Sequence, residues 1–332
     1  MRQTIPVFLS VAFAFAFAVP ARAAERVPKG LLGDWAVTTP TDEAAWIRIR
    51  ESNSAPDIRV MWAVGNVRQI KDPVVRNGEL SFILRQRRNK QTGEIISSDS
   101  LSVRLLDEQL YGVRQKTIDS QHSEASFTGK RLPAMPPRPE LGKVRFGAPI
   151  KLFNGTDLAG WKVRRAHKKM GWSAKNGELV NETPKTDFSA YGDYANLMTE
   201  RVFTDFQLHI EFKIESQRNS GIYLRGMYEA QVVDRDSRMQ GISGIGAIFG
   251  RIAPSKNAGN PPGEWNAYDI TLVDRHVTVV LNGETVIDNH PVEGPTGGAL
   301  LSDVTQPGPI YLQGDHTSVR YRNIVLRPVV KR

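Results

Sequence analysis

Cysteine is absent from all 332 residues of the chain. The protein therefore has no disulfide, no thiol nucleophile, no thiolate metal site and no cysteine-linked lipid anchor. Its stability must come from packing and hydrogen bonding, and a chain of this length can bury one large core or two smaller ones. No glycine-rich phosphate loop precedes a predicted helix either, so the sequence indicates no nucleotide cofactor.

Long apolar runs are also scarce, and the one candidate lies at the N-terminus. Arg2 is followed by "IPVFLSVAFAFAFAV" and then by "PARAA". A basic start, an apolar stretch shorter than the ~20 residues of a membrane-spanning helix, and an Ala-x-Ala exit are typical of a secretory signal. We predict a signal peptide over residues 1–23 and a periplasmic or secreted protein with no stable membrane insertion after cleavage. The alternative is an uncleaved anchor.

Helix signals are sparse, whereas strand signals are dense. Runs such as "AWIRIR", "FQLHIEFKI" and "YDITLV" alternate apolar and polar residues and are bounded by Gly, Asn, Asp and Pro. Asn-Gly-Glu occurs at 77–79, 176–178 and 282–284, and Asn-Gly suits the positive φ angles of a type I′ hairpin turn. The sequence therefore predicts an all-β fold with tight hairpins at these positions.

A proline-rich stretch divides the chain. Residues 133–149, "PAMPPRPELGKVRFGAP", contain five prolines and little periodicity, which predicts an extended linker. Before it, residues 30–132 predict a small antiparallel β-barrel or sandwich, loosely similar to lipocalin-like modules. After it, residues 150–330 have the length of a two-sheet jelly roll.

Positive charge is in excess, with a formal net charge of +9. Two basic clusters, "RQRRNK" (85–90) and "RRAHKK" (164–169), lie between strand-like segments and are interpreted as solvated loops. The export signal argues against a nucleic-acid partner, and anionic envelope surfaces would be only weak partners. The oligomeric state is left open by the sequence.

The segment "RNSGIYLRGMYEAQVVD" (218–234) carries polar residues inside an apolar run. Gly226 either bends one strand or separates two neighbouring strands. The polar face either points to water, as is usual on an antiparallel sheet, or lines a binding groove. Period-two alternation places Ile222, Leu224, Ala230 and Val232 on one face and Tyr223, Arg225, Glu229 and Gln231 on the other.

Two further segments hold candidate binding residues. "GEWNAYDITL" (263–272) places Glu264 before a predicted strand, with Trp265 and Asn266 at its start. Trp265 is either a core residue or a platform on which a sugar stacks. "LQGDHTS" (312–318) places Gln313, Asp315 and His316 at a strand end and turn.

A divalent cation is an open option for the cofactor. Asp234, Asp236, Glu229 and His316 are donors of suitable type. No local spacing of ligands marks a metal site, however, and "DRDSR" (234–238) is better explained as a charged turn. We therefore assign no metal-binding residue.

Six motifs of the C-terminal unit together resemble the 3-keto-disaccharide hydrolase family over about residues 150–328. They are "LFNGTDLAGWKV", "NSGIYLRGMYEAQVVD", "GAIFGRIAP", "GEWNAYDITL", "VTVVLNGETVID" and "GPIYLQGDHTSVRYRNIVLRP". The resemblance implies a concanavalin-like two-sheet jelly roll and a carbohydrate ligand. The last motif departs from the family's "LQDHG", because Thr317 follows His316 here. The N-terminal unit shows no comparable match.

The resemblance also implies a reaction, namely the cleavage of 3-keto-glycosides or 3-keto-disaccharides. A base removes the acidic C2 proton beside the ketone, the C1 substituent leaves by β-elimination, and water adds to the enone. Glu229 and His316 would be base and acid, in either order, and Arg225 would stabilise the enolate. The substrate-binding residues would be Tyr223, Gln231, Glu264, Trp265, Asn266 and Gln313.

Two other functions stay open at this point. The first is a non-catalytic carbohydrate-binding module that uses the same groove. The second is a conventional glycosidase, which needs two carboxylates on either side of one bond, and Glu229 and Glu264 are the candidates.

Overall fold

The computed structural model describes residues 25–52, 56–184 and 193–331. The predicted signal peptide, residues 1–23, lies outside the described residues. Within the described ranges the helical content is three short 3₁₀ turns, at Lys29–Leu31, Leu141–Lys143 and Gly241–Ser243. The remaining regular structure is β-strand, so the predicted all-β class is confirmed.

The N-terminal unit is one antiparallel sheet of nine strands. Each strand pairs with the next along the chain except at the two edges, β4 and β5, and β1 closes onto β9, which gives the order β4-β3-β2-β1-β9-β8-β7-β6-β5. The sheet curls around its own core, which includes Trp35, Ile47 and Leu101. The strands are β1 (Gly33–Thr38), β2 (Ala44–Arg50), β3 (Asp57–Trp62), β4 (Arg68–Gln69), β5 (Val74–Arg76), β6 (Glu79–Arg88), β7 (Ile95–Leu106), β8 (Gln109–Ile118) and β9 (Gln121–Arg131).

The C-terminal unit is a jelly roll of two sheets, as predicted. The smaller sheet has the order β12-β15-β22-β17-β18, and the larger has the order β13-β14-β23-β16-β19-β20-β21, with β10 and β11 also pairing with β23. The strands are β10 (Arg145–Phe146), β11 (Ile150–Lys151), β12 (Trp161–Val163), β13 (Trp172–Lys175), β14 (Glu178–Asn181), β15 (Leu197–Thr199), β16 (Phe206–Lys213), β17 (Asn219–Leu224), β18 (Tyr228–Val233), β19 (Trp265–Val273), β20 (His276–Leu281), β21 (Glu284–Pro291), β22 (Tyr311–Leu312) and β23 (Val319–Lys331).

Strand periodicity explains the core between the two sheets. In β16, every second residue is buried, beginning with Phe206 and ending with Phe212. These side chains meet the apolar face of β17 and β18 in one hydrophobic cluster. Burial of each large apolar side chain contributes roughly 1.5–3 kcal/mol, so this cluster is the main source of the unit's stability.

The three Asn-Gly pairs form the predicted turns. Asn77, Asn176 and Asn282 have φ angles of 51°, 52° and 52°, and the glycine after each also has a positive φ. Positive φ at both central residues is the geometry of a type I′ turn, which matches the twist of the strands on either side. They connect β5 to β6, β13 to β14 and β20 to β21.

The two units are in direct contact. Trp46 of β2 is fully buried in the same hydrophobic cluster as the jelly-roll core. The guanidinium of Arg251 lies 4.3 Å from the centre of its ring, in cation–π contact. Ion pairs cross the boundary between Arg48 and Glu293 at 2.5 Å and between Lys130 and Asp303 at 2.8 Å.

Candidate active site

Gly226 separates two strands, which settles the question left open by the sequence. Arg225 and Gly226 have φ angles of 56° and 63° and form the tight turn between β17 and β18. The register places Tyr223 directly opposite Glu229, and Gly221 directly opposite Gln231. Tyr223 and Glu229 therefore lie side by side on one face of the hairpin.

The face opposite the core is covered rather than solvated. Tyr223 is 1% exposed and Glu229 is 4% exposed. The backbone N–H of Glu229 donates to the Thr296 hydroxyl at 3.0 Å, and the Phe249 N–H donates to the Glu229 carbonyl at 2.9 Å. The predicted core face, Ile222, Leu224, Ala230 and Val232, is confirmed. The polar face is therefore largely covered by protein, and Tyr223 is the residue of this face that borders a cavity.

The Glu229 carboxyl occupies space that exists because residue 221 is glycine. A Cβ at position 221 would lie 2.8 Å from both Cγ and Cδ of Glu229. Burial raises the pKa of Glu229, the Tyr223 hydroxyl opposes this rise and the nearby Asp315 charge adds to it, and the net result is a pKa of about 8. Glu229 therefore carries a proton at neutral pH.

Tyr223 also lines a cavity of about 320 Å³, which we call the jelly-roll cavity. Its wall is rich in phenols, amides and cations, and the N-terminal unit contributes part of it. The lining residues are Glu43, Ala63, Val64, Arg164, Arg165, Lys168, Tyr194, Asn196, Tyr223, Gly298, Ala299, Tyr311, Gln313 and Asp315.

The Asp315 carboxyl is held in place at this wall. Its Oδ1 lies 2.7 Å from Nδ1 of His316, and an ionised carboxylate only accepts, so the imidazole donates. Asn196 donates to the other oxygen at 3.3 Å. The side-chain oxygen of Asn196 also accepts from the backbone N–H groups of Gly314 and Asp315, at 2.7 and 3.0 Å. Asn196 and His316 thus fix the position of a carboxylate that reaches the cavity.

Two tyrosines stand side by side next to this carboxylate. The rings of Tyr223 and Tyr311 have centroids 4.9 Å apart. Burial raises the pKa of Tyr311 to about 12 against the opposing effect of Arg164, and burial raises the pKa of Tyr223 well above its usual value. Both phenols stay neutral at physiological pH and can donate hydrogen bonds.

The structure brings some of the predicted site residues together. Tyr223 and Gln313 line the cavity. Glu229 is the cross-strand neighbour of Tyr223, and His316 supports Asp315. These four residues therefore belong to one site, although only two of them form its surface.

Two other predicted residues of the same hairpin have different contacts. Arg225 donates to the carbonyls of Val304 and Gln306 at 2.8 and 2.5 Å, and it is not part of the cavity wall. Its position in the turn, outside the strand alternation, explains the difference from the predicted face. Gln231 donates to the Ser243 carbonyl at 3.1 Å.

Glu264, Trp265 and Asn266 lie on the larger sheet, at the start of β19, and away from the cavity wall. Glu264 is exposed. The Arg322 guanidinium lies 4.0 Å from the Trp265 ring centre. The side-chain oxygen of Asn266 accepts from Asn282 at 2.8 Å and so braces a turn. Period-two alternation assigns a residue to a face but not to a sheet, which is why the sequence grouped them with the hairpin.

Several cavity residues were missed by the sequence analysis. Asn196 lies outside the quoted motifs, Tyr311 lies within the last motif but was given no role, and Asp315 was placed in the turn of "LQGDHTS" but was not chosen as a site residue. The cluster 164–169 was interpreted as a solvated loop, yet Arg164, Arg165 and Lys168 line the cavity. The concentration of positive charge in this segment was the sequence feature that could have indicated a binding site.

No set of three or more His, Asp or Glu side chains is placed to hold a metal ion in residues 25–52, 56–184 and 193–331. Asp234, a predicted metal ligand, instead accepts hydrogen bonds from the backbone N–H groups of Gln217 and Asp236, at 2.8 and 3.1 Å.

Over the same described ranges, no helix has both the length and the apolar character needed to cross a bilayer.

A jelly-roll cavity that combines phenols, amides and a fixed carboxylate offers the hydrogen-bonding groups that suit a sugar. The sequence model of the 3-keto-alpha-glucoside-1,2-lyase-like domain matches residues 148–327. The chain belongs to this family. No curated protein matches the chain.

Solved structures give further similarities. A candidate glycosyl hydrolase from Parabacteroides distasonis ATCC 8503 shares 30% identity over 56% of this chain and 90% of its own, with a TM-score of 0.43. A second from the same organism shares 23% identity over 54% of this chain and 93% of its own, with a TM-score of 0.44. LamAcat from Zobellia galactanivorans shares 12% identity over 57% of this chain and 92% of its own, with a TM-score of 0.30.

Proposed function

We propose that this carbohydrate-active enzyme is exported and cleaves 3-keto-glycosides or 3-keto-disaccharides by β-elimination and hydration. One observation carries the proposal. Tyr223 and a fixed carboxylate, Asp315, line one cavity, and a carboxyl that is protonated at neutral pH, Glu229, is the cross-strand neighbour of Tyr223. Two carboxyl groups in different environments supply an acid and a base at the same pH.

Asp315 is the proposed base. It reaches the cavity, and His316 and Asn196 hold its two oxygens. A ketone at C3 makes the C2 proton acidic, and a positioned carboxylate removes such a proton in the first step. His316 therefore acts through Asp315 as a positioning residue.

Positive charge in the cavity wall stabilises the enolate that forms when the C2 proton leaves. Arg164, Arg165 and Lys168 all line the cavity. Arg164 is close enough to Tyr311 to oppose the rise in its pKa. Fixed cations and phenol donors near the C3 oxygen favour the enolate over the ketone. Arg164 takes the role that the sequence analysis gave to Arg225.

The remaining steps balance the protons. The C1–O bond breaks with its electron pair on the leaving oxygen, which takes a proton from the Tyr223 hydroxyl, and Glu229 re-supplies that hydroxyl. Water then adds its oxygen to C1 of the enone, Asp315 returns its proton to C2, and the proton lost by water restores Glu229. The conventional two-carboxylate route has less support, because Glu229 and Glu264 lie on different sheets.

The test is an assay with a 3-keto-disaccharide and its unoxidised parent. Cleavage of the keto form alone is the expected result. Cleavage of the parent would replace the proposal with a conventional glycosidase, and binding without cleavage would replace it with a carbohydrate-binding module. N-terminal sequencing of the protein from periplasm and medium tests export, with a mature start after Ala23 as the expected result.

A further inference from the structure

A second cavity adjoins the first. It has a volume of about 420 Å³ and lies on the N-terminal sheet, and we call it the N-terminal cleft. Glu43, Ala63 and Val64 line both the N-terminal cleft and the jelly-roll cavity. A ligand that is longer than one sugar ring can therefore extend from the jelly-roll cavity into the cleft.

The shared wall is fixed by contacts between the two units. The Gly298 N–H donates to the Ala63 carbonyl at 2.7 Å, and the Tyr223 hydroxyl donates to the neighbouring Gly297 carbonyl at 2.9 Å. A Cβ at position 297 would lie 2.5 Å from the Gly65 backbone nitrogen, so the backbones of these two segments are in direct contact. The cleft is thus held at a constant position relative to the proposed reaction site.

The cleft carries a net positive charge, because four cations, Arg68, Arg85, Arg114 and Lys116, line it against the two carboxyl side chains of Glu43 and Asp99. Arg68, Arg85 and Lys116 line it, and among the residues that the structure describes none of these three forms an ion pair with a carboxylate. Arg114, by contrast, is neutralised by Asp99 at 2.7 Å. Burial and the nearby positive charge of Arg85 lower the pKa of Arg68, as expected for two cations that share one space. Like charges in one cleft favour an anionic ligand.

An indole forms part of the same wall. Trp62 is 8% exposed and packs edge to face on Phe127, with ring centroids 5.0 Å apart. Its Nε1–H is buried and has no hydrogen-bond partner within the described part of the chain. Trp62 lines the cleft, so the cleft combines cations with an aromatic surface.

We propose that the N-terminal cleft binds the anionic group of an acidic glycoside, a carboxylate or a phosphate, while the adjoining sugar occupies the jelly-roll cavity. The two basic clusters of the sequence then line adjoining parts of one site, because Arg85 lines the N-terminal cleft and Arg164 lines the jelly-roll cavity. The placement of the sugar rests on the proposed function, whereas the binding of the anion does not.

The experiment measures the affinities of three disaccharides by calorimetry: a neutral parent, its C6 carboxylate and its C6 phosphate. We expect the acidic forms to bind roughly tenfold or more tightly than the parent at low salt, and the difference to shrink in 0.5 M NaCl. The carboxylate and phosphate arms show which anion the cleft prefers.

Charge variants locate the effect. A triple variant that removes the three unpaired cations of the cleft should lose the preference for the acidic disaccharides. Its substitutions are Arg68→Gln, Arg85→Gln and Lys116→Gln. Lys71→Gln, Arg87→Gln and Lys90→Gln together make the same change in net charge at exposed positions outside the cleft and should retain it. Equal affinity for neutral and acidic forms in the wild type, or equal losses in the two triple variants, would overturn the proposal.

Turnover of the neutral 3-keto-disaccharide separates the two proposals. If the enzyme cleaves it but shows no preference for acidic forms, only the inference about the cleft fails. If the acidic forms bind through the cleft but no 3-keto substrate is cleaved, only the proposed function fails.

Discussion

Tyr223 and Glu229 are direct cross-strand partners in the β17–β18 hairpin, and only Tyr223 lines the cavity. The pair joins a buried, protonated carboxyl to a phenol at the cavity surface. In the proposed mechanism this arrangement lets the carboxyl pass a proton to the cavity through Tyr223 while the carboxyl itself stays buried.

Replacement of Glu229 by Gln should abolish turnover of a 3-keto-disaccharide, with a loss of roughly 10²-fold or more in kcat. Gln preserves the size and hydrogen-bonding shape of the protonated acid but cannot release a proton. Steady-state kinetics measure the effect. Glu264→Gln, at an exposed position on the other sheet, is the control and should retain activity. Full turnover in Glu229→Gln would remove this residue from the reaction.

The stability of the wild type should fall between about pH 4.5 and pH 8. The pKa of Glu229 is about 8 in the folded protein, whereas its ordinary value is 4.5. Below pH 4.5 both states are protonated and the stability is fully present. Above it the unfolded chain releases a proton that the folded protein keeps, so stability declines until the pH passes the folded pKa, by about 4–5 kcal/mol in total.

Urea unfolding from pH 4 to pH 9 measures this decline. Glu229→Gln has no proton to release at this position. Its free energy of unfolding should therefore lack this decline with pH and exceed that of the wild type near pH 8.5. The same pH dependence in the two proteins would contradict the raised pKa of Glu229. The measurement is independent of any substrate.

Replacement of Asp315 by Asn should lower kcat by roughly 10²–10⁴-fold, because the proposed base loses its ability to accept the C2 proton. The hydrogen bond from His316 is weakened in the same variant. Asp193→Asn is the matched control, since its side chain is 78% exposed and lies close by in sequence to the cavity residue Tyr194. Equal activities for the two variants would exclude Asp315 as the base.

Arg225→Gln should lower the free energy of unfolding substantially and have only a small effect on kcat. Its two hydrogen bonds to the Val304 and Gln306 carbonyls are charge-assisted and buried, and their loss should cost about 2–4 kcal/mol. Arg327→Gln, where an exposed guanidinium donates to the Gly147 carbonyl, should cost less than about 1 kcal/mol. Urea unfolding and kinetics measure both effects. A stable Arg225→Gln protein without turnover would restore the catalytic role that the sequence predicted.

Local rules were sufficient for the faces of the strands and for the tight turns. Period-two alternation identified the core face of the hairpin at Ile222 and Ala230, and Asn-Gly pairs located three turns. Both depend on residues that are close in sequence. The family motifs supplied the jelly roll itself, because the order of strands in a sheet is set by contacts between residues far apart in the chain.

The site was predicted less completely, for reasons that the structure makes plain. The sequence could not place Trp265 on the other sheet, because alternation carries no information about which sheet a strand joins. It missed Asn196, whose role depends on reaching Gly314 and Asp315 more than 110 residues away. It left the polar face of the hairpin as either solvent-facing or lining a groove, and it could not predict that the segment around Thr296 packs against this face.

Gly221→Ala should lower kcat by displacing the Glu229 carboxyl. The added Cβ would lie 2.8 Å from Glu229 Cγ and Cδ, so the carboxyl or the strand must shift, at a cost of about 1–3 kcal/mol. Gly142→Ala adds a methyl group where nothing lies within 4 Å and should be nearly neutral. Kinetics at a temperature where all variants stay folded measure the effect on turnover.

A double-mutant cycle with Glu229→Gln shows whether the damage acts through the carboxyl. If Gly221→Ala lowers kcat only by displacing Glu229, it should lower kcat much less in the Glu229→Gln background, where the acid is already lost. Additive losses in kcat would mean that the strand position itself, and not the carboxyl, limits turnover. That result would separate the geometry of the hairpin from the chemistry assigned to it.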